Sequence, residues 1–205
     1  MSLRELVIEV AELCGRAEFS SLPIDLTLLG VSLDRCHTSV IDYFRHCVPN
    51  HCVERPFFIP RSAEDVADFN ADYTPSRQIL PFGFITFANE PNGDLLAVDV
   101  VDGRVYCLSH EIIGVDGIHD FSADHPTPIT RESILERSQG DFSSIRAFFE
   151  SWRLSLVELH RKKDEFIAAA LEDPNVTDEF GNTLLIHCVI HGTPTMKRIL
   201  RPSGG

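Results

Sequence analysis

Residues 82–109, FGFITFANEPNGDLLAVDVVDGRVYCLS, contain three short apolar runs separated by two turn signals. The runs are rich in aromatic and β-branched residues, which favour strands. Asn92-Gly93 and Asp102-Gly103 lie between them, and both dipeptides are typical of tight hairpins, because such turns need positive φ. Consecutive strands joined in this way form an antiparallel meander rather than parallel crossover units. We therefore predict strands over about 82–88, 95–101 and 104–109.

Helical patterns precede this meander. Ser2 and Glu5 fit a capping box ahead of apolar residues at helical spacing, and Gly15 is the expected stop. A second helix is predicted over about 34–48, and Ser62 is expected to cap a third. Two further strands are predicted, a short one at 57–59 and an extension of the meander at 112–115.

The C-terminal part of the chain returns to helical periodicity. Apolar residues from Phe142 to Leu159 predict a long helix that Asp141 or Ser143 could cap, with an aromatic stripe that we expect to be core. Helices, meander and helices in this order predict an α+β fold, in which a curved antiparallel sheet packs with N- and C-terminal helices.

The chain is strongly acidic. It has 18 Lys and Arg against 31 Asp and Glu, which gives a formal net charge of −13. Such a surface repels nucleic acid and anionic lipid and favours a basic protein partner, with solubility alone as the open alternative. No window approaches the about 20 apolar residues of a membrane span, and the N-terminus does not resemble a signal peptide. We expect a cytoplasmic protein whose six cysteines are free.

The order of motifs around the meander resembles a known family. The stretch 80–88 is followed by Gly93-Asp94, by an apolar strand that ends in Asp99, and then by Val105-Tyr106 and His110-Glu111. With the aromatic helix that comes later, this run resembles the core of the SUKH superfamily. That group includes the fungal cell-wall-assembly regulators and many bacterial immunity proteins.

The SUKH resemblance implies a non-catalytic protein-binding module. The leading hypothesis within this class is an immunity-type protein that binds and neutralises a cognate toxin, often a nuclease in this superfamily. A scaffold or regulator of the cell-wall-assembly-regulator kind is the alternative. An enzyme of unrecognised type is the third hypothesis, and it would need a converging set of titratable groups.

A second resemblance lies near the C-terminus. Residues 178–188, DEFGNTLLIHC, resemble the opening of an ankyrin repeat, with Gly181 at the turn, Thr183 as the capping residue and Leu185 in the core. It implies a partial ankyrin-like helical unit at 173–205 behind a SUKH-like α+β domain at 1–172. A single repeat cannot bury its own faces, so we expect 183–200 to dock on the rest of the chain.

Six residues on or near the meander form the candidate partner-binding site: Asp94, Asp99, Asp102, His110, Glu111 and Asp116. An acidic rim of this kind would speed association with a basic toxin, whereas solvated turn residues are the alternative interpretation. His110 and Glu111 are not expected to act as an acid–base pair, since neighbours in a strand point to opposite faces. No hydrolase triad of Ser109, His110 and Asp99 is expected either, because the Gly-x-Ser-x-Gly context is missing.

Potential zinc ligands are concentrated in residues 36–52. The six are Cys36, His37, His46, Cys47, His51 and Cys52. Closed zinc sites need four converging ligands, commonly from short Cys-x-x-Cys hooks, and this stretch has none. We therefore predict ordinary core cysteines, no metal, no cofactor and a metal-free purified protein.

Overall fold

The computed structural model describes residues 1–15, 19–50, 53, 59–60 (backbone only), 62–119, 125–173 and 175–183. The chain divides into two compact units, Met1–Leu156 and Val157–Gly205. The first contains the whole sheet. The domain boundary predicted at 172–173 coincides with the end of the last helix rather than with this division.

Six α-helices and five strands are described. The helices are α1 (Leu3–Leu13), α2 (Thr38–His46), α3 (Ala63–Asp72), α4 (Thr74–Ile79), α5 (Arg131–Glu136) and α6 (Ile145–Glu172). The strands are β1 (Ile59–Pro60), β2 (Phe84–Asn89), β3 (Leu95–Asp99), β4 (Val105–Leu108) and β5 (Ser138–Phe142). Short 3₁₀ helices cover Leu26–Leu29, Leu33–Arg35 and Leu80–Phe82.

The five strands form one open antiparallel sheet in chain order, which confirms the predicted α+β class. β2, β3 and β4 are the predicted meander, joined at the two predicted glycine turns. The β2–β3 register shifts between Thr86 and Ala88, so that Phe87 is an extra residue in a β-bulge.

One strand prediction was wrong. Residues 112–115 do not extend the meander, because Ile113 forms only an isolated bridge with Ile118. The strand beside β4 is instead β5, which is polar and mostly exposed. Such a strand has no apolar alternation of its own and depends on its partner for pairing, so its sequence gives little signal. Of the strand predicted at 57–59, only Ile59 lies in the described part, where it begins β1.

Alternate residues of the central strands face two separate apolar clusters. The larger cluster contains Ile85, Phe87, Leu96 and Val98 together with residues of α1, α2 and the first half of α6. The smaller contains Phe84, Leu95, Ala97 and Leu108 together with Ile79 of α4 and Ile134 of α5. Helices therefore cover both faces, which explains why β3 is buried along its entire length. The aromatic stripe of α6 is core as predicted, with Phe148 and Phe149 fully buried.

The predicted caps of α1 and α3 are confirmed. In α1 the Glu5 N–H donates to Ser2 Oγ at 3.2 Å, and the Ser2 N–H donates to Glu5 Oε2 at 2.6 Å. In α3 the Asp65 N–H donates to Ser62 Oγ at 3.1 Å. Each bond satisfies a donor that the first helical turn leaves unpaired.

Two other helix starts differ from their predictions. α2 begins at Thr38 rather than near 34, because the His37 N–H donates to the Val100 carbonyl at 2.6 Å and fixes the chain to the sheet before the helix begins. α6 is capped by Ser144, whose Oγ accepts from the Ala147 N–H at 3.0 Å. Asp141, a predicted cap, belongs to β5 instead.

The described residues of the second unit are the C-terminal part of α6 and the turn that follows. Asp178 Oδ1 accepts from the N–H groups of Phe180 and Asn182 at 2.9 and 2.8 Å, and Gly181 has φ 80°. Residues 184–205 lie outside the described part, so the docking of the ankyrin-like unit stays a prediction. No described helix, α6 with its 28 residues included, is apolar enough to cross a membrane.

Candidate functional site

Asp94, the first predicted site residue, is a buried turn residue rather than a surface charge. Its Oδ1 accepts from the His110 N–H at 3.2 Å and lies 3.0 Å from His110 Nδ1. Asn92 Nδ2 donates to Oδ2 at 2.9 Å, and the Ser109 hydroxyl donates to the same carboxylate. The carboxylate therefore joins the β2–β3 turn to the segment that follows β4.

Opposing effects act on the pKa of Asp94. Burial raises it, whereas the hydrogen bonds from His110, Asn92 and Ser109 lower it, and the balance leaves the pKa below its ordinary value. Gly93 has φ 100°, and a Cβ there would lie 3.1 Å from the His110 ring. Both the positive φ and the close approach of the ring therefore require glycine at this position.

Asp99 is also inside the protein. Its side chain is fully buried, Oδ1 accepts from the Val101 N–H at 2.9 Å, and Oδ2 forms an ion pair with Arg131 of α5. Arg131 also donates to the Phe82 carbonyl at 3.2 Å and lies 5.2 Å from the centroid of the Phe84 ring. The pair fastens β3 to α5. Asp94 and Asp99 were predicted to contact a partner, and their burial leaves neither carboxylate free to do so.

The remaining acidic candidates lie at the surface. Asp102, Glu111 and Asp116 are exposed. Asp102 Oδ1 accepts from the Arg104 N–H at 2.9 Å, and Asp116 Oδ1 lies 2.9 Å from the His119 ring Nε2. The acidic rim of the meander is thus smaller than the sequence suggested, and its role in binding stays a prediction.

Ser109, His110 and Asp99 were not expected to form a hydrolase triad, and their side chains do not interact as one group. The His110 Nδ1 faces Asp94, whereas Asp99 is paired with Arg131. Ser109 donates to Asp94. The three groups therefore serve two different structural connections.

The sequence analysis missed an acidic face on α3. Asp65, Asp68 and Asp72 line a surface depression of about 250 Å³ together with Phe69 and Tyr73. The two rings stack with centroids 4.4 Å apart and an interplanar angle of 26°. Asp68 and Asp72 are exposed, and the other three are half-buried. These five residues, here called the α3 acidic face, recur at spacings of three and four, which is a signal that the sequence carries.

Within the described part of the chain, no ion pair joins the three aspartates of the α3 acidic face to another residue. Like charges at these spacings destabilise a helix. Asp72 also ends α3, where the helix dipole disfavours a carboxylate. The face therefore concentrates negative charge at a cost to the helix that carries it.

Asn70 holds α3 on the sheet. Its fully buried side chain donates from Nδ2 to the carbonyls of Val66 and Thr86 at 2.8 and 2.7 Å, and its Oδ1 accepts from the Thr86 N–H at 3.0 Å. Thr86 directly precedes the bulge residue Phe87, so the amide pairs with backbone groups next to the irregularity in the ladder. The α3 acidic face is consequently fixed relative to β2.

Among the described residues, one group has the spacing of metal ligands: Glu90, Asp94 and Cys107. One ligand atom of each lies within 4.8 Å of the others, and Cys107 Sγ donates to Glu90 Oε1 at 3.8 Å. Burial, together with the carboxylates of Glu90 and Asp94, raises the pKa of the Cys107 thiol to about 12. Without a cation the thiol is therefore protonated at neutral pH.

The cysteine- and histidine-rich stretch 36–52 makes local and core contacts instead. Cys36 Sγ donates to the Ser32 carbonyl at 3.4 Å, and His37 caps α2. Cys47 is buried in the core, and burial raises its pKa to about 12. Residues 51–52 lie outside the described part. No disulfide joins the described cysteines of the chain.

A larger depression, of about 630 Å³, lies beside the first two 3₁₀ helices and the end of α2. It is lined by Pro23, Ile24, Asp25, Leu26, Leu33, Arg45 and His46. Asp25 is engaged locally, since its Oδ1 accepts from the Thr27 N–H and hydroxyl at 3.0 and 2.7 Å. With Arg45 as its other charged group, this depression offers less negative charge than the α3 acidic face.

Comparison of the chain with models of protein families, with curated proteins and with solved structures finds no match.

Proposed function

We propose that this chain is a non-catalytic protein-binding module that docks a basic partner on the α3 acidic face. The observation that carries the proposal is the arrangement of three carboxylates around a stacked pair of aromatic rings, on a helix that Asn70 fixes to the sheet. The module would act in the manner of an immunity protein that neutralises a toxin.

The chemistry of the α3 acidic face suits a cationic side chain, and arginine best. A guanidinium group pairs with carboxylates through two parallel hydrogen bonds and also stacks on aromatic faces. The exposed Asp68 and Asp72 supply the carboxylates, and the half-buried rings of Phe69 and Tyr73 lie beside them. A lysine would gain the charge attraction but not the paired hydrogen bonds.

A basic toxin domain is the partner that combines this chemistry with the SUKH resemblance. Nucleases bind phosphate backbones and therefore carry basic surfaces. A protein with net charge −13 would attract such a domain at long range and accelerate encounter. The α3 acidic face would then compete with nucleic acid for the same cationic side chains.

The predicted site residues Asp94 and Asp99 have structural roles. Asp94 accepts hydrogen bonds from His110, Asn92 and Ser109, and Asp99 is paired with Arg131, so both act within the fold. A catalytic role would instead require these groups to face a shared space for substrate.

A growth-protection assay tests the proposal. The product of the gene next to this one in the native genome is expressed in a bacterial host with and without this chain. We expect the neighbour to arrest growth and this chain to restore it. Replacing both Asp68 and Asp72 by Lys should abolish protection and slow association by about tenfold or more, because the attraction becomes repulsion.

The matched control is Asp102→Lys with Asp116→Lys, which changes the charge equally on the meander rim. We expect these substitutions to leave protection intact. Loss of protection in the rim variant alone would move the interface to the meander and contradict the proposal. A neighbour product that binds without being toxic would favour the scaffold role and refute the immunity role.

A further inference from the structure

Side chains of the metal-ligand type converge from the β2–β3 turn and from β4. Glu90 follows β2, Asp94 precedes β3 and Cys107 lies in β4, with one ligand atom of each within 4.8 Å of the others. The three ligands do not form the short Cys-x-x-Cys hook that is common in zinc sites. The cluster lies outside residues 36–52, the stretch on which the prediction of a metal-free protein depends.

We propose that Glu90, Asp94 and Cys107 bind one Zn²⁺ ion, with His110 orienting Asp94 and a water molecule as the fourth ligand. Zn–S bonds of about 2.3 Å and Zn–O bonds of about 2.1 Å place tetrahedral ligand atoms about 3.4–3.7 Å apart. Cys107 Sγ and Glu90 Oε1 are already 3.8 Å apart. Every pair in the cluster lies within 4.8 Å, so closure around the ion brings the ligand atoms together by at most about 1.4 Å.

The types of ligand atom in the cluster favour Zn²⁺ over other divalent cations. A thiolate is a soft ligand that favours Zn²⁺ over Mg²⁺ and Ca²⁺, whereas two carboxylates add the negative charge that a divalent cation needs. In the absence of a cation, the same carboxylates stand beside a half-buried thiol and oppose its ionisation. A bound cation reverses that interaction, because it attracts all three groups.

The surrounding backbone holds the ligands in place. The Glu90 N–H donates to the Asp94 carbonyl at 2.8 Å, and Cys107 is paired with Leu96 across β3 and β4. His110 Nδ1 lies 3.0 Å from Asp94 Oδ1, the position of a partner that orients a metal-binding carboxylate. Zinc would thus fasten the β2–β3 turn to β4, independently of any protein partner.

The test uses the full chain after removal of metal by a chelator, with Co²⁺ as a spectroscopic probe and Zn²⁺ as competitor. We expect one Co²⁺ per chain, an absorption band from charge transfer between the Cys107 thiolate and cobalt, and loss of the band when Zn²⁺ is added. Cys107→Ser should abolish the band, and the matched control Cys36→Ser should retain it.

Two further variants keep the proposal testable if Cys107→Ser does not fold. Glu90→Gln should lower the affinity for Zn²⁺, and His110→Gln should lower it by about 10–100-fold, as expected for an orienting partner. Absence of a thiolate band in the unmodified chain would overturn the proposal. A band that survives Cys107→Ser, or that disappears in Cys36→Ser, would place the metal at another cysteine and overturn it equally.

Discussion

Two groups of aspartates in the same compact unit are used in different ways. At the turns of the meander, Asp94 and Asp99 are buried and their carboxylates accept hydrogen bonds or an ion pair. On α3, Asp68 and Asp72 are exposed beside a stacked aromatic pair. The comparison teaches that the position of an acid in a motif does not tell its role. The role depends on whether a cation or donor from elsewhere in the chain reaches it.

The largest expected effect is that of Asp99→Ala. The substitution leaves Arg131 beside the core without its carboxylate and the Val101 N–H without its acceptor. We expect the free energy of unfolding to fall by about 3 kcal/mol, measured by urea denaturation. Asp102→Ala is the matched control, a turn aspartate at the surface, and it should cost about 1 kcal/mol or less. Equal losses in the two variants would contradict the distinction between buried and exposed acids.

Asp94→Asn should have an intermediate effect that depends on pH. At pH 7 we expect a loss of about 1–3 kcal/mol, because the substitution replaces one of the two accepting oxygens by an NH2 group, which cannot accept a hydrogen bond from His110, Ser109 or Asn92. The pKa of Asp94 is lowered in the folded state, so its contribution is complete above its ordinary pKa and is lost as pH falls through the lowered value.

The difference between the unmodified chain and Asp94→Asn should therefore narrow below about pH 4. Urea denaturation at several pH values measures it, with the metal-free chain used throughout so that Glu90, Cys107 and His110 are the titratable neighbours. A difference that stays constant down to acid pH would show that the carboxylate charge does not stabilise this turn.

Phe69→Leu tests whether the aromatic pair of the α3 acidic face contributes to partner binding. Leucine keeps the apolar contacts of Phe69 with the smaller core cluster but removes one of the two stacked rings. We expect partner affinity to fall by about 0.5–1 kcal/mol through the lost cation–π interaction. Isothermal titration with the basic partner measures it, and Phe82→Leu, a half-buried ring of the same cluster outside α3, is the control.

The smallest expected effect on stability is that of Asp68→Asn with Asp72→Asn. Removing like charges that neighbour each other on α3 should raise the free energy of unfolding by about 0.3 kcal/mol, or leave it unchanged. Thermal unfolding measures this change. A clear loss of stability would show that these carboxylates serve the fold, as those of the meander do.

The sequence predicted the meander because its signals are local. Strand, Asn-Gly turn and strand follow each other within a few residues, and Gly93 and Gly103 adopt the positive φ that those turns need. The same holds for the Ser2 and Ser62 caps, whose partners lie three residues away. In all of these cases, the interacting groups are neighbours along the chain.

Features that depend on distant partners escaped prediction. The burial of Asp99 follows from Arg131 of α5, and β5 pairs only because β4 offers an edge. The metal-ligand cluster joins Cys107 of β4 to Glu90 and Asp94 of the β2–β3 turn. The α3 acidic face is the exception, since the spacing of its aspartates at three and four residues is local and visible in the sequence.

The pairing of β4 with β5 has a consequence for folding kinetics. β2, β3 and β4 are joined by tight turns, whereas the Leu108–Ser138 pair can form only after the intervening residues 109–137 have closed a long loop. Closing that loop costs conformational entropy before the contact can offset the cost. We therefore expect the three-stranded meander to be formed in the transition state and β5 to pair after it. The Asp99–Arg131 pair joins the meander to a residue inside that loop. Its removal should accelerate unfolding far more than it slows folding, which makes this ion pair a determinant of how long the native state lasts.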